Sequence, residues 1–175
     1  MHPHPPQPAA KLIITSPASL SDWSDAVSLI DEYARSLGID LCFQDLHKEL
    51  DDPAAQYSSP EGAFYLASID GRLVGCAALR RFDAESGEMK RLYVRPDTRG
   101  LGIGRALAEC VVGAAVSAGY RYLVLDTLAD MSAAQAIYRS LGFAEIAPYR
   151  FNPIPGAVYM RLDLNDWTRM RRGSV

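Results

Sequence analysis

Apolar positions along this chain switch between two periods, and the switching outlines its elements before any motif is considered. Between Asp22 and Leu37, the residues Trp23, Val27, Ile30, Tyr33, Ala34 and Leu37 fall on one helical face, and Gly38 ends the run. The same spacing returns at Ile103, Leu107, Cys110, Val111 and Ala114, which predicts a helix over 102–118 stopped by Gly119. A further helix is predicted over 132–141, stopped by Gly142. Short apolar runs with strand character lie at 11–15, 63–69, 72–81, 88–94, 120–126 and 158–164. Asp70-Gly71 separates the second run from the third, and both residues accept the positive φ that a two-residue hairpin turn requires. A short second helix is predicted over 41–50, a loop over the proline- and serine-containing stretch 51–62, and a polar turn over 83–87. The resulting order is β, α, α, β, β, β, α, β, α, β. Antiparallel hairpins followed by right-handed strand–helix–strand crossovers predict an α/β fold, one mixed sheet with helices on its faces.

A length of 175 residues with 49% hydrophobic content matches a single globular domain, drawn here over 11–165. Residues 1–10, with their prolines and with His2 and His4, read as a flexible tail, and 166–175, with Arg169, Arg171 and Arg172, as a second, solvated one. The net charge of -3 gives no broad basic field, so nucleic acid is not an expected partner. Cys42, Cys76 and Cys110 are scattered without Cys-x-x-Cys spacing, and His2 and His4 lack a third ligand nearby. Buried thiols in a reducing compartment, with no metal, are the expectation. No apolar run approaches the roughly 18 residues of a membrane span, and no signal-peptide core opens the chain, so a cytoplasmic protein without membrane contact is predicted.

Candidate chemistry concentrates in Arg99-Gly100-Leu101-Gly102-Ile103-Gly104-Arg105, between the strand ending at Val94 and a strongly helical segment. Glycines let a ligand approach the backbone, and the first amides of the following helix point outward unpaired, with the positive end of its dipole behind them. Such a loop suits a diphosphate. A nucleotide P-loop would need Gly-Lys followed by Ser or Thr, which is absent. A dinucleotide fingerprint would place glycine where Arg105 stands, and the linker 95–99 is too long and polar for its tight turn. Asp126, at the distance of a ribose-binding acid, is therefore read as a structural residue at a strand end.

The run from Glu88 to Pro96 followed by Arg99 to Gly104 resembles the acetyl-CoA motif of the Gcn5-related N-acetyltransferases, with Arg99, Gly102 and Gly104 at its defining positions. The run Ala134 to Phe143, with Tyr138 before Leu141-Gly142-Phe143, is similar to that family's second motif. The resemblance covers roughly 63–164 and implies the acyl-CoA N-acyltransferase fold and acetyl-CoA as co-substrate. It implies that the amides of Gly100, Leu101, Gly102, Ile103, Gly104 and Arg105 hold the pyrophosphate, and that main-chain groups of Leu92, Tyr93 and Val94 pair with the pantetheine arm. Met131 stands where the family often has asparagine, and Ser132 is the candidate to replace its hydrogen bond. By the same resemblance Glu88 would take the amine proton, directly or through water, and Tyr138 would protonate the departing sulfur. Read without the resemblance, Glu88 is a strand carboxylate and Tyr138 a core aromatic.

The acceptor is expected to be a small-molecule amine, bound by the first two helices, the loop at Tyr57 and the segment at Tyr149 and Arg150. Lys90 and Arg150 are placed where a substrate carboxylate could be met, which favours an amino acid or a similar amine. Two alternatives stay open: acetylation of a peptide or protein, which calls for an open groove at Tyr57 and Tyr149, and a non-catalytic acyl-CoA sensor. The family often forms homodimers, and the sheet end near 158–164 is one route to such a contact.

Overall fold

A computed structural model describes residues 11–41 and 45–173. The elements follow in the order β1 (Leu12–Thr15), α1 (Leu20–Leu37), α2 (Leu46–Asp51), α3 (Pro53–Tyr57), β2 (Ala63–Ile69), β3 (Arg72–Arg81), β4 (Ser86–Val94), a 3-10 turn (Pro96–Thr98), α4 (Ile103–Ser117), β5 (Tyr122–Thr127), α5 (Ser132–Leu141), β6 (Ala144–Ile146), β7 (Val158–Asp163) and α6 (Leu164–Arg172). Local signals explain most boundaries. Ser19 and Asp22 close a reciprocal capping box that starts α1 at Leu20, ahead of the apolar stripe, and Gly38 ends it at a φ of 63°. Asp70 and Gly71, at φ of 49° and 80°, make the expected tight turn between β2 and β3.

The sheet has seven strands in the order β1-β2-β3-β4-β5-β7-β6. All neighbours are antiparallel except β4 and β5. One apolar core lies between the sheet and α4, α5 and α6, built on residues such as Leu79, Leu107, Val111, Leu125 and Met160. A second lies on the opposite face under α1 and α3, around Leu29, Ile30, Tyr57, Phe64 and Cys76. Among the described residues, no helix is long and apolar enough to cross a membrane.

Four expectations change. The stretch 51–62, read as a loop because of its prolines, holds α3: Pro53 sits at the first helical position, where proline is tolerated, and Asp52 caps the Ala55 amide at 3.0 Å. The expected second helix over 41–50 is narrower in the structure, with α2 beginning at Leu46, and residues 42–44 lie outside those described. The segment 166–175, read as a tail, carries most of α6: Asp163 accepts from the Asn165 and Asp166 amides, Leu164 is buried and Trp167 packs on the larger core. Finally, β7 is not the last strand of the sheet, because the three-residue strand β6 pairs with its Tyr159–Arg161 stretch. The expected tail 1–10, with His2 and His4, and Cys42 lie outside the described residues. Cys76 and Cys110 are free thiols, the first fully buried.

Candidate active site

The site grows out of the single parallel pair. Strands β4 and β5 are in register only from Ser86–Tyr122 to Glu88–Val124, after which β4 continues along β3 and β5 along β7. Beyond Glu88 no strand among the described residues pairs with the β5-facing side of β4, so the sheet opens into a V. A bulge sharpens the divergence: Cys76 pairs with Tyr93 and Ala78 with Lys90, leaving one extra residue on β4. Arg91, in the bulge, adopts a φ of 57°, a conformation costly for a residue with a Cβ. It is held there by a buried bidentate pair with Glu49 of α2, at 2.8 and 2.6 Å. Burial works against the Glu49 carboxylate, but the Arg91 guanidinium outweighs it and keeps the Glu49 pKa below its ordinary value.

At the mouth of the V lies the glycine-rich loop. Gly100 and Gly102 have φ of 82° and 77°, and a Cβ on either would meet nothing, so both present bare backbone to open space. Gly102 caps α4 without any side-chain hydrogen bond, and the first amide of this turn to find a carbonyl is that of Ala106, bonded to Gly102 at 3.1 Å. The amides of Ile103, Gly104 and Arg105 therefore have no intrahelical acceptor. Gly104 serves packing instead, since a Cβ there would lie 3.1 Å from the Ile137 side chain, and its absence lets α4 and α5 approach.

Both arginine side chains of this loop bond within the protein. Arg99 Nε donates to the Val94 carbonyl at 3.0 Å, while Arg105 bonds Glu109 at 3.1 Å and Ser140 at 2.7 Å. What the glycines of the loop offer an anion is the main chain. That matches a diphosphate-bearing group and is the feature by which the site fits acetyl-CoA.

Within the V, a cleft of about 560 Å³, its solvent-open mouth included, is lined by residues from both strands and both sheet faces. Lys90, Leu92, Asp126, Met131, Tyr138 and Asn152 carry its chemistry. Tyr138 is 6% exposed and its hydroxyl makes no hydrogen bond to the described residues. Burial, with the Asp126 charge adding to it, drives its pKa well above the ordinary phenol value, so it stays protonated. Lys90, also buried, is 3.6 Å from Glu88 and 3.8 Å from Asp126, and burial brings its pKa down to about 8. Met131 accepts from the Thr127 hydroxyl at 3.7 Å, whereas Ser132 is exposed at the start of α5 and does not line the cleft.

Glu88 is not among the lining residues. It is fully buried, and its carboxylate receives Arg80 at 3.0 and 3.1 Å, Arg150 at 3.1 and 3.2 Å and the Tyr149 hydroxyl at 3.1 Å. Burial alone would raise its pKa, but Lys90, Arg80 and Arg150 outweigh that and leave it lowered. Tyr149 and Arg150, expected at the acceptor, thus close over Glu88, and Tyr149 stacks edge-on against Phe82 and Tyr159. Tyr57 lies in the second core, 1% exposed and away from the cleft. Conversely, Asp126, expected to be a structural residue at a strand end, enters the site, joined at 2.9 Å to Asn152 of the segment expected at the acceptor. The signal available for Asp126 was its place at the end of the strand after the glycine-rich helix.

Comparison with known proteins agrees with this geometry. The acetyltransferase (GNAT) family matches residues 26–143. An uncharacterized N-acetyltransferase of Schizosaccharomyces pombe is 40% identical, over 82% of this chain and 90% of its own. This chain belongs to the GNAT family. It is an acetyl-CoA-dependent N-acetyltransferase. The fold agrees: a GNAT acetyltransferase of Staphylococcus aureus superposes with a TM-score of 0.72 at 23% identity, covering 88% of this chain and 99% of that one. The N-acetylaspartate synthetase of Danio rerio is 36% identical over 63% of this GNAT chain and 40% of its own length.

Proposed function

We propose that this GNAT enzyme transfers the acetyl group of acetyl-CoA to the primary amine of a small, carboxylate-bearing molecule, an amino acid being the simplest. The observation that carries this reading is the shared cleft, in which a fixed cation, Lys90, and a fixed anion, Asp126, face the same space as the Tyr138 hydroxyl. A zwitterionic acceptor complements two opposite charges 3.8 Å apart, and a neutral amine does not. The name of the Danio rerio relative, which denotes an acetylated amine with carboxylates, supports the same class.

The amides of Ile103, Gly104 and Arg105, behind Gly100, Leu101 and Gly102, would hold the pyrophosphate, and the unpaired side of β4 from Leu92 to Val94 would receive the amide-bearing arm. When bound, acetyl-CoA supplies an activated thioester whose acyl group passes to nitrogen with release of a thiol. Tyr138, kept protonated by burial, is the proton donor for the departing sulfur. Lys90, ammonium at neutral pH, orients the acceptor through its carboxylate. Glu88, bonded to Arg80, Arg150 and Tyr149, orders this wall instead of taking a proton.

The test is acetyl-CoA-dependent release of CoA, corrected for protein thiols, across amino acids, polyamines, aminoglycosides and short peptides. Turnover confined to small carboxylate-bearing amines is expected. Preferred turnover of peptides or polyamines, or none at all with acetyl-CoA bound, would refute the reading.

A further inference from the structure

The two carboxylates near the V differ in one decisive respect, the state of their oxygens. Both Glu88 oxygens are saturated by guanidinium and phenol donors, behind the cleft wall. Asp126 is less enclosed, its side chain 4% exposed, and it lines the cleft. Its Oδ2 accepts from Asn152 Nδ2 at 2.9 Å, which fixes the rotamer, while Oδ1 accepts no hydrogen bond from the described residues and has only Lys90 Nζ at 3.8 Å. A carboxylate oxygen that faces the cleft and accepts no hydrogen bond from the described residues is open to a ligand N–H.

From this geometry we infer that Asp126 seats the ammonium group of the acceptor and takes its proton. The inference rests on the amine-acetylation reading above. An amine reaches the site as an ammonium ion, whose nitrogen has no lone pair. Asp126 Oδ1 accepts one N–H proton, the electrons of that bond remain on nitrogen as the nucleophilic pair, and the proton then leaves to solvent through the cleft mouth. The groups facing Asp126 suit this. Lys90 approaches from β4, Tyr33 from α1, Tyr138 from α5, Tyr159 from β7, and Tyr149 and Asn152 from the segment before β7. Only Lys90 among them carries charge at neutral pH, and it sits where the other end of a zwitterion would lie. The donor set therefore prefers α-amino acids, whose ammonium and carboxylate are separated by one carbon.

The experiment combines binding with kinetics on the full-length enzyme and its Asp126→Asn variant. Calorimetry compares L-aspartate with succinate, which lacks the ammonium group, and acetyl-CoA affinity reports whether the cradle is intact. The wild type is expected to prefer L-aspartate by about tenfold or more, and Asp126→Asn to bind the two alike. In the kinetics, kcat/KM for amine should fall about 100-fold at pH 7, with the deficit shrinking as pH rises toward the amine's own pKa. Asp126→Glu, which retains the charge, should recover part of the preference, and it carries the test if Asp126→Asn loses acetyl-CoA binding. A wild type that acetylates an amine, alongside an Asp126→Asn enzyme with an unchanged profile and preference, would overturn this inference alone. A wild type that acetylates no amine would overturn the proposed function and this inference with it.

Discussion

The two sides of the V are built by different means. On the mouth side, Gly100 to Arg105 offers backbone amides and a helix terminus, with its arginine side chains turned to Val94, Glu109 and Ser140. On the inner side lie buried side chains drawn from distant parts of the chain: Lys90 from β4, Asp126 from β5 and Asn152 from the segment before β7 line the cleft, and Glu88 behind them is held by Arg80 of β3 and by Tyr149 and Arg150. A backbone site depends on a local run of glycines. A side-chain site depends on tertiary placement and on charge balance.

The contrast is broken most severely at Glu88. Glu88→Gln leaves Arg80, Arg150 and Lys90 without their shared anion in a buried setting, which should cost about 3–5 kcal/mol. Thermal unfolding should move down by roughly 10 °C or more. Because the carboxyl is lowered in the folded state, its contribution is fully present above the unfolded pKa, about 4.3, and is lost as pH falls through the folded value. Wild-type stability should therefore decline in that acid range more steeply than that of Glu88→Gln, as denaturant titrations at several pH values would show.

Gly102→Val attacks the other side. It forces a β-branched residue to a φ of 77° at the start of α4 and should weaken acetyl-CoA about 100-fold by calorimetry, without a matching loss in affinity for the amine. A smaller effect is expected from pH alone. Lys90, lowered by burial to about 8, loses its charge as pH rises through that value. The KM of a carboxylate-bearing amine should then rise about tenfold relative to that of an amine without a carboxylate. Arg105→Ala should change least, under about threefold in acetyl-CoA affinity, because its guanidinium is already bonded to Glu109 and Ser140.

The same contrast explains what could be read in the chain. Amphipathic periods located α1, α4 and α5, Asp70-Gly71 located the hairpin, and the spacing of Arg99, Gly102 and Gly104 pointed to the cofactor loop, all of them local signals. Missed elements had signals that cut both ways: Asp52-Pro53 starts α3 although proline suggests a loop, and α6 hides a cap at Asp163 under an arginine-rich surface. Strand β6, three residues long, has no pattern to see. The inner site was illegible for a physical reason. Which of Glu88 and Asp126 faces the cleft depends on where β4 and β5 part and on which side chains fold back from residues some sixty positions away, such as Tyr149 and Arg150.

The central claim is that the cradle and the chemistry at the cleft are separable, with Tyr138 acting at the reacting atoms. Single-turnover acetyl transfer by Tyr138→Phe, measured beside its acetyl-CoA affinity, tests this most directly. The variant removes one hydroxyl that makes no hydrogen bond to the described residues, so affinity should stay within about threefold while the transfer rate falls about 100-fold or more. Transfer at the wild-type rate with intact binding would contradict the account.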